Sequence, residues 1–234
     1  MEPIVFRYQF QLSDERQESF ELVLDSHTLE PAEQALISPP EWARLNFKQC
    51  THCPLRSNTH PYCPVAISLV PVVELFNNVR SYEEIELQVD TQERRISQHT
   101  TAQRGLSSLL GLLIATSGCP HTNYLKPMAR FHLPLASEEE TLFRAVSMYL
   151  LAQYLRERSG LSHEAGLQGL KGIYDNLHQL NQKIAERLRY AADQDSAVNA
   201  VVILDMFTNL MPFSIDEDLE EIGSIFDCYL DRPS

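Results

Sequence analysis

Alternating apolar and polar residues open the chain and predict β-strands. Every second residue from 4 to 12 is apolar, which is the period of a strand with one buried face. Residues 20–24 repeat the alternation, and the polar residues 13–16 between the two segments favour an antiparallel hairpin. Residues 84–90 and a weaker strand around Ile96 predict a second hairpin, which can share one sheet with the first.

The period becomes helical after Arg104. Leucines follow helical spacing between residues 106 and 113, and Gly118 and Pro120 predict where that helix ends. Ser137 and Glu140 form a capping box that predicts the start of another helix, which should end near Gly160.

Three further helices are predicted before the C-terminus. Residues 170–184 carry an amphipathic pattern, and the glycines at 166, 169 and 172 indicate either close backbone packing or a helix that begins only after them. Asp195 or Ser196 can cap a helix that Pro212 should end, and Ser214 with Glu217 forms a capping box for a last one. At least four helices are therefore expected after Ser137, whereas regular strands are expected mainly before Thr101.

These elements predict an α+β protein, with antiparallel β-hairpins in the N-terminal half and a helical, bundle-like C-terminal half. Residues 1–136 form the hairpin region, which includes a cysteine-rich loop at about 42–64 and one or two helices. Residues 137–234 form the helical region. The length of 234 residues fits either one large domain or two small ones, so the helical region is either separate or part of the same domain.

The chain is acidic, with 19 Lys and Arg against 32 Asp and Glu and a net charge of −13. Such a charge repels the phosphate backbone and disfavours nucleic-acid binding. Residues 191–234 contain ten acidic residues and one basic residue. This end suits either a basic protein partner or a solvated surface, and a homo-oligomer is also open.

The N-terminus lacks the basic start and apolar run of a signal peptide, which predicts a cytoplasmic protein. The most strongly apolar stretch, residues 106–115, is about half the length of a membrane span, so no membrane segment is expected. In a reducing compartment the five cysteines should be free thiols, and a close group of them favours metal binding or catalysis over disulfides.

Three cysteines lie in the irregular loop and are the strongest candidates for chemistry. Cys50 and Cys53 form a C-x-x-C pair, and Cys63 follows in the same loop. Two thiolates separated by two residues can face one ion, and a third thiolate in a loop without regular structure strengthens the case for a metal site. Reduced structural cysteines and a redox-active C-x-x-C remain the alternatives.

Cys119 is the preferred fourth ligand, followed by His60, His52 and His121. Zinc is the preferred metal because histidines are frequent near the loop and the cysteines are widely spread. An iron–sulfur cluster is the alternative, since Cys53, Cys63 and Cys119 are each followed by proline, as is the last cysteine of bacterial ferredoxin runs.

A second constellation allows an enzyme. Cys119, His121, Arg130 and His132 lie close in sequence, and they can form either a nucleophilic Cys–His pair with an anion-binding arginine or an open metal site. The position of Cys119 after a helix C-terminus disfavours its thiolate. The sequence contains no Gly-rich phosphate loop after a strand, no G-x-S-x-G and no H-E-x-x-H motif, which argues against nucleotide-dependent, serine-hydrolase and zincin chemistry.

Two stretches, C-T-H-C-P-L with Y-C-P-V-A and S-G-C-P-H with R-F-H-L-P, resemble those of an uncharacterised bacterial family of unknown function. The resemblance implies a bacterial cytoplasmic source and carries no activity, substrate or catalytic residue. The leading interpretation is therefore a metal-stabilised binding or regulatory protein. The alternatives are an enzyme that uses the region of Cys119 and an iron–sulfur redox or sensor protein.

The charge leads us to expect no appreciable affinity for duplex DNA at physiological salt. An electrophoretic mobility assay with a labelled duplex checks this, and the free duplex should not shift. Specific retention that weakens as salt rises would contradict the prediction.

Overall fold

One antiparallel sheet forms the N-terminal part of the fold. The computed structural model describes residues 2–12, 16–32 and 38–230. The strands are β1 (Ile4–Leu12), β2 (Gln17–Leu24), β3 (Glu84–Asp90) and β4 (Arg95–Thr101), in the order β2-β1-β3-β4. All three pairings are antiparallel, so the two predicted hairpins share one sheet. The predicted turn of the first hairpin falls largely on residues 13–15, which lie outside the described residues.

Helices dominate the rest of the chain. The described residues contain six α-helices: α1 (Pro64–Leu75), α2 (Ala102–Thr116), α3 (Lys126–Arg130), α4 (Glu138–Arg158), α5 (Gln168–Ala191) and α6 (Ser196–Gly223). Short 3-10 segments occupy Glu41–Ala43, Asn123–Leu125 and Ser224–Tyr229. The predicted α+β class is confirmed. The capping box of Ser137 and Glu140 is present at the start of α4.

Two apolar clusters hold these elements together. The larger cluster joins one face of the sheet to α1, α2, α5 and α6, with Tyr8 and Phe10 fully buried at its centre. The smaller cluster lies between α4, α5 and α6. Both α5 and α6 contribute to both clusters. The division into residues 1–136 and 137–234 stays a prediction.

The prediction that Pro212 ends a helix is wrong, because α6 runs through it to Gly223. A proline inside a helix costs about 3 kcal/mol through a lost hydrogen bond and a steric clash. Met211 and Ile215 are both buried in the smaller cluster, and their packing outweighs that cost. Ser214 therefore lies within a helix, and the side chain of Glu217 is outside the described residues. After Ser137 the described residues form three α-helices and one 3-10 segment where at least four helices were expected.

The cysteine-rich loop is short of regular structure but well anchored. A 3-10 turn opens it at Glu41–Ala43, and α1, which the sequence pattern did not predict, begins directly after it at Pro64. The Leu45 N–H donates to Pro61 O at 3.0 Å, and an isolated bridge pairs Arg44 with Tyr62. The two arms of the loop are therefore bonded to each other, which fixes the segment that carries Cys50, Cys53 and Cys63.

One helix of the described chain meets the length and apolar composition of a membrane span, α6 between Ser196 and Ile215. Of its most apolar stretch, 28% is buried within the fold. A core helix of a soluble protein passes the same test. The expectation of no membrane segment therefore stays a prediction.

Close backbone packing explains one of the three spaced glycines. Helix α5 begins at Gln168, so Gly169 lies in its first turn, and its N–H donates to a Glu164 carboxylate oxygen at 2.9 Å. The Tyr149 hydroxyl donates to the same carboxylate at 2.6 Å. A methyl group on Gly169 would overlap the Tyr149 hydroxyl and come within 2.7 Å of Glu164. The start of α5 thus requires glycine at 169.

Gly169→Ala should lower the free energy of unfolding by about 1–3 kcal/mol, because the added methyl group must push apart a buried tyrosine and its carboxylate partner. Gly172→Ala is the matched control, since open space surrounds that position in the same helix. There the substitution should be neutral or stabilise by up to about 1 kcal/mol. Urea unfolding of the two variants measures both effects. Equal stabilities would contradict the packing argument.

Candidate functional site

The cysteine-rich loop presents three thiols over a short distance. Cys50 and Cys53 flank a turn that the Cys53 N–H closes on Cys50 O at 3.1 Å. Cys63 precedes the first residue of α1, and its N–H donates to Ala43 O at 2.9 Å. All three residues are half-buried, and Cys50 and Cys63 pack against the larger apolar cluster.

Cys119 approaches this loop from the end of α2. Gly118 has a φ of 81°, a left-handed conformation that glycine adopts without strain and that turns the chain out of the helix. Cys119 follows as a buried residue. Two residues later, His121 Nε2 lies 3.0 Å from His52 O, and the two imidazole rings are 4.2 Å apart. The segment after α2 therefore touches the turn between Cys50 and Cys53.

The four cysteines lie within electrostatic range of one another. Burial raises the pKa of Cys50 to about 12, and negative charge on Cys63, Cys53 and Cys119 adds to the rise. Burial also raises the pKa of Cys119 to about 11, although the backbone N–H groups of His121 and Thr122 lower it in part. The thiols of Cys50 and Cys119 therefore hold their protons at neutral pH.

All five cysteines are free thiols. Within the residues that the structure describes, no group of three or more His, Cys, Asp or Glu side chains has the arrangement that holds a metal ion. Four thiols thus lie in one region of the described structure, but their side chains are not arranged around a common centre as the ligands of a metal ion are. The assignment of Cys50, Cys53, Cys63 and Cys119 as metal ligands stays a prediction.

His52 adds an unusual feature to this region. Both of its ring nitrogens are buried without a hydrogen-bond partner of normal geometry. Burial lowers its pKa and positive charge on His121 lowers it further, while the backbone of Asn176 acts in the opposite direction. Buried polar atoms nearly always have a partner, and an ion or a water molecule often supplies it.

His60, the other histidine considered as a fourth ligand, is exposed. Its Nδ1 lies 3.0 Å from the Thr59 hydroxyl. This contact engages one of its two possible ligand atoms, whereas neither ring nitrogen of His52 is engaged.

The structure gives the proposed nucleophilic pair little support. The raised pKa of Cys119 works against a thiolate. His132 bonds through Nε2 to the Tyr8 hydroxyl, and burial lowers its pKa to about 3. Arg130 lies over the ring of Phe131, with its guanidinium carbon 5.4 Å from the ring centre. The residues of the enzyme hypothesis thus have separate partners.

The comparisons with known proteins place the chain in a family. A family model described as "Domain of unknown function (DUF6901)" matches residues 4–227. The chain belongs to this family. The resemblance to an uncharacterised family is therefore confirmed, and the match spans the sheet, both cysteine segments and the helices. Searches of curated proteins and of solved structures found no match.

A residue that the sequence patterns did not single out completes the site of this DUF6901 chain. Arg187 on α5 is only 2% exposed, and its guanidinium donates to the carbonyls of Trp42, Arg44 and Leu45 at 2.6, 2.8 and 3.1 Å. Burial lowers its pKa, whereas negative charge on Cys63, Cys50 and Cys53 would raise it. Arg187 thus joins α5 to the loop and places a positive charge beside the thiols.

The sequence pattern of α5 could have indicated that Arg187 is buried. It lies three residues after Ile184 and seven after Leu180, both of which point into the core, so it falls on the buried stripe of α5. An arginine on such a stripe must find acceptors inside the protein.

Arg187→Gln should lower the free energy of unfolding by about 3 kcal/mol or more, because a shorter neutral side chain leaves buried carbonyls without donors. Arg189→Gln, an exposed position on the same helix, is the matched control and should change it by less than about 0.5 kcal/mol. Thermal or urea unfolding measures the difference. A small effect at Arg187 would mean that its hydrogen bonds are not important for stability.

Proposed function

We propose that this DUF6901 protein is a metal-stabilised binding protein in which zinc joins the cysteine-rich loop to the end of α2. The four ligands would be Cys50, Cys53, Cys63 and Cys119. The observation that carries the proposal is the gathering of four reduced thiols from two segments that are far apart in sequence, with Cys119 acting electrostatically on Cys50.

The chemistry of the donors fits zinc. Thiolates are the ligands of structural zinc sites, and zinc displaces the protons that the thiols otherwise hold. Ligation requires the cysteine side chains to rotate toward a common centre, and their half-buried positions in a loop and a turn allow this. His52 and His121 stand beside the same region as alternative ligands.

Charge balance also supports the proposal. Four thiolates around Zn²⁺ carry a net charge of −2, which is unfavourable in a partly buried site. Arg187 supplies a fixed positive charge within range of Cys63, Cys50 and Cys53. The backbone N–H groups of His121 and Thr122, which lower the pKa of Cys119, would stabilise its thiolate further.

The role of the metal would be structural. Four cysteine ligands leave no open coordination position for a substrate, so the site does not suit hydrolytic catalysis. Its energetic contribution would be to fix a loop that has little regular structure of its own. This is why a binding or regulatory protein is preferred to an enzyme.

An iron–sulfur cluster is the second candidate for the same cysteines. It is favoured by the proline that follows Cys53, Cys63 and Cys119, as one follows the last cysteine of bacterial ferredoxin runs. The absorbance of anaerobically purified protein distinguishes the two, since a cluster is coloured and zinc is not.

Cys50→Ser should release the metal and lower the free energy of unfolding by more than about 4 kcal/mol, because metal-binding free energy contributes directly to folding. Cys228→Ser is the matched control, since Cys228 is exposed in the 3-10 segment near the C-terminus. It should keep both metal content and melting temperature. Elemental analysis and thermal unfolding provide the two measurements.

Wild-type protein purified without metal, and unable to bind added zinc or iron, would contradict the proposal. Retention of metal and melting temperature by Cys50→Ser would also contradict it.

A further inference from the structure

A cavity of about 590 Å³ lies between α2, α4, α5, α6 and lining residues of the segment 125–136. Its size falls within the range of small-molecule sites. None of the four cysteines lines it. The cavity is therefore a feature separate from the candidate metal site.

Most of the cavity wall is apolar. Leu112 and Ala115 contribute from α2, and Leu204, Phe207 and Leu210 contribute from α6. These side chains offer a hydrocarbon surface that gains free energy when apolar carbon replaces water. The wall therefore suits a ligand with an apolar body.

Arg144 on α4 provides a positive charge at this wall. One terminal nitrogen of its guanidinium donates to Met128 O at 3.0 Å and to Phe131 O at 2.9 Å. Burial lowers its pKa, whereas Tyr174 and then Glu140 raise it, and no ion pair of Arg144 is present among the described residues. The other guanidinium nitrogens have no acceptor within the described part of the chain. Arginine presents donors in a planar fork that matches a carboxylate.

The charge of the cavity contrasts with that of the chain. Arg144 and the exposed Arg104 line it together with one acidic residue, Glu138. The protein as a whole has a net charge of −13. Two cations against one carboxylate, in an otherwise acidic protein, favour a ligand that carries a negative charge.

His132 also lines the cavity and lies close to Arg144. Burial, with a smaller contribution from positive charge on Arg144, lowers the pKa of the imidazole and keeps it neutral, and its Nε2 is bonded to the Tyr8 hydroxyl. A neutral histidine does not add a second positive charge beside Arg144. This part of the wall therefore suits a ligand with a single anionic group.

We infer that the cavity binds a small amphipathic monocarboxylate, whose aliphatic or aromatic body lies between α2 and α6 and whose carboxylate bonds to Arg144. This inference rests on the binding role in the proposed function and does not depend on the metal. The apolar walls determine the body of the ligand, and Arg144 determines its charged group.

Isothermal titration calorimetry of the wild-type protein tests the charge preference with three probes of equal chain length. These probes are dodecanoate, dodecanol and dodecyltrimethylammonium. Dodecanoate should bind about tenfold or more tightly than dodecanol, because hydrogen bonds to a charged group add to the same apolar contact. The cation should bind most weakly. Failure of dodecanoate to bind, or binding no tighter than that of dodecanol, would overturn the inference.

Arg144→Gln tests the residue. Dodecanoate affinity should fall about tenfold or more, whereas dodecanol affinity should stay the same and thereby report an intact cavity. Arg158→Gln, at the end of the same helix and outside the cavity wall, is the matched control. If Arg144→Gln does not fold, Arg144→Lys keeps the charge without the planar fork and should weaken dodecanoate alone. Unchanged dodecanoate affinity in the folded variant would exclude Arg144 as the carboxylate partner.

Metal content is measured on the same samples. A wild-type protein that binds dodecanoate but neither contains zinc or iron nor binds them when they are added would support this inference and contradict the metal proposal. A metal-loaded protein that fails to bind dodecanoate would support the metal proposal and contradict this inference.

Discussion

The hydrogen bonds of Arg187 to three carbonyls of the loop are the interaction on which the candidate metal site depends. A guanidinium removed from water is strongly destabilising unless its donors are satisfied, and the carbonyls of Trp42, Arg44 and Leu45 satisfy them. The same bonds give this irregular loop a fixed position against α5. The positions of Cys50 and Cys63 relative to the core follow from that attachment.

The attachment also connects the two halves of the chain. Arg187 belongs to α5, which contributes to the cluster beneath the sheet and to the cluster around α4. The loop belongs to the N-terminal half and leads directly into α1. A single side chain of α5 thus helps to fix the loop, together with the backbone hydrogen bonds that join the loop's two arms.

Sequence patterns predicted the elements that depend on local period and capping. The alternation in residues 4–12 and the capping box at Ser137 identified a strand and a helix start, because the determining residues are neighbours. Pro212 led to a wrong helix end, because the tertiary packing of Met211 and Ile215 outweighs the tendency of proline to end a helix. Helix α1 was missed because its residues are apolar on nearly all sides and show no period.

The site itself was predictable only in part. The sequence spacing identifies Cys50, Cys53 and Cys63 as a group. The approach of Cys119 to them depends on the fold. No sequence pattern predicts the contact between His121 and His52 that joins the two segments. The cavity was not predictable, because it is formed by residues of several helices that no linear pattern groups together.

Helix α2 connects the candidate metal site and the cavity physically. Ala115 and Leu112 form part of the cavity wall, and Cys119 lies within two turns beyond them, where the chain leaves the helix. A metal bound through Cys119 would fix that end of α2 to the loop held by Arg187. Because a packed helix moves largely as a unit, the restraint would extend to the wall that Leu112 and Ala115 provide. The metal would then restrain the C-terminal end of the helix whose earlier turns line the cavity.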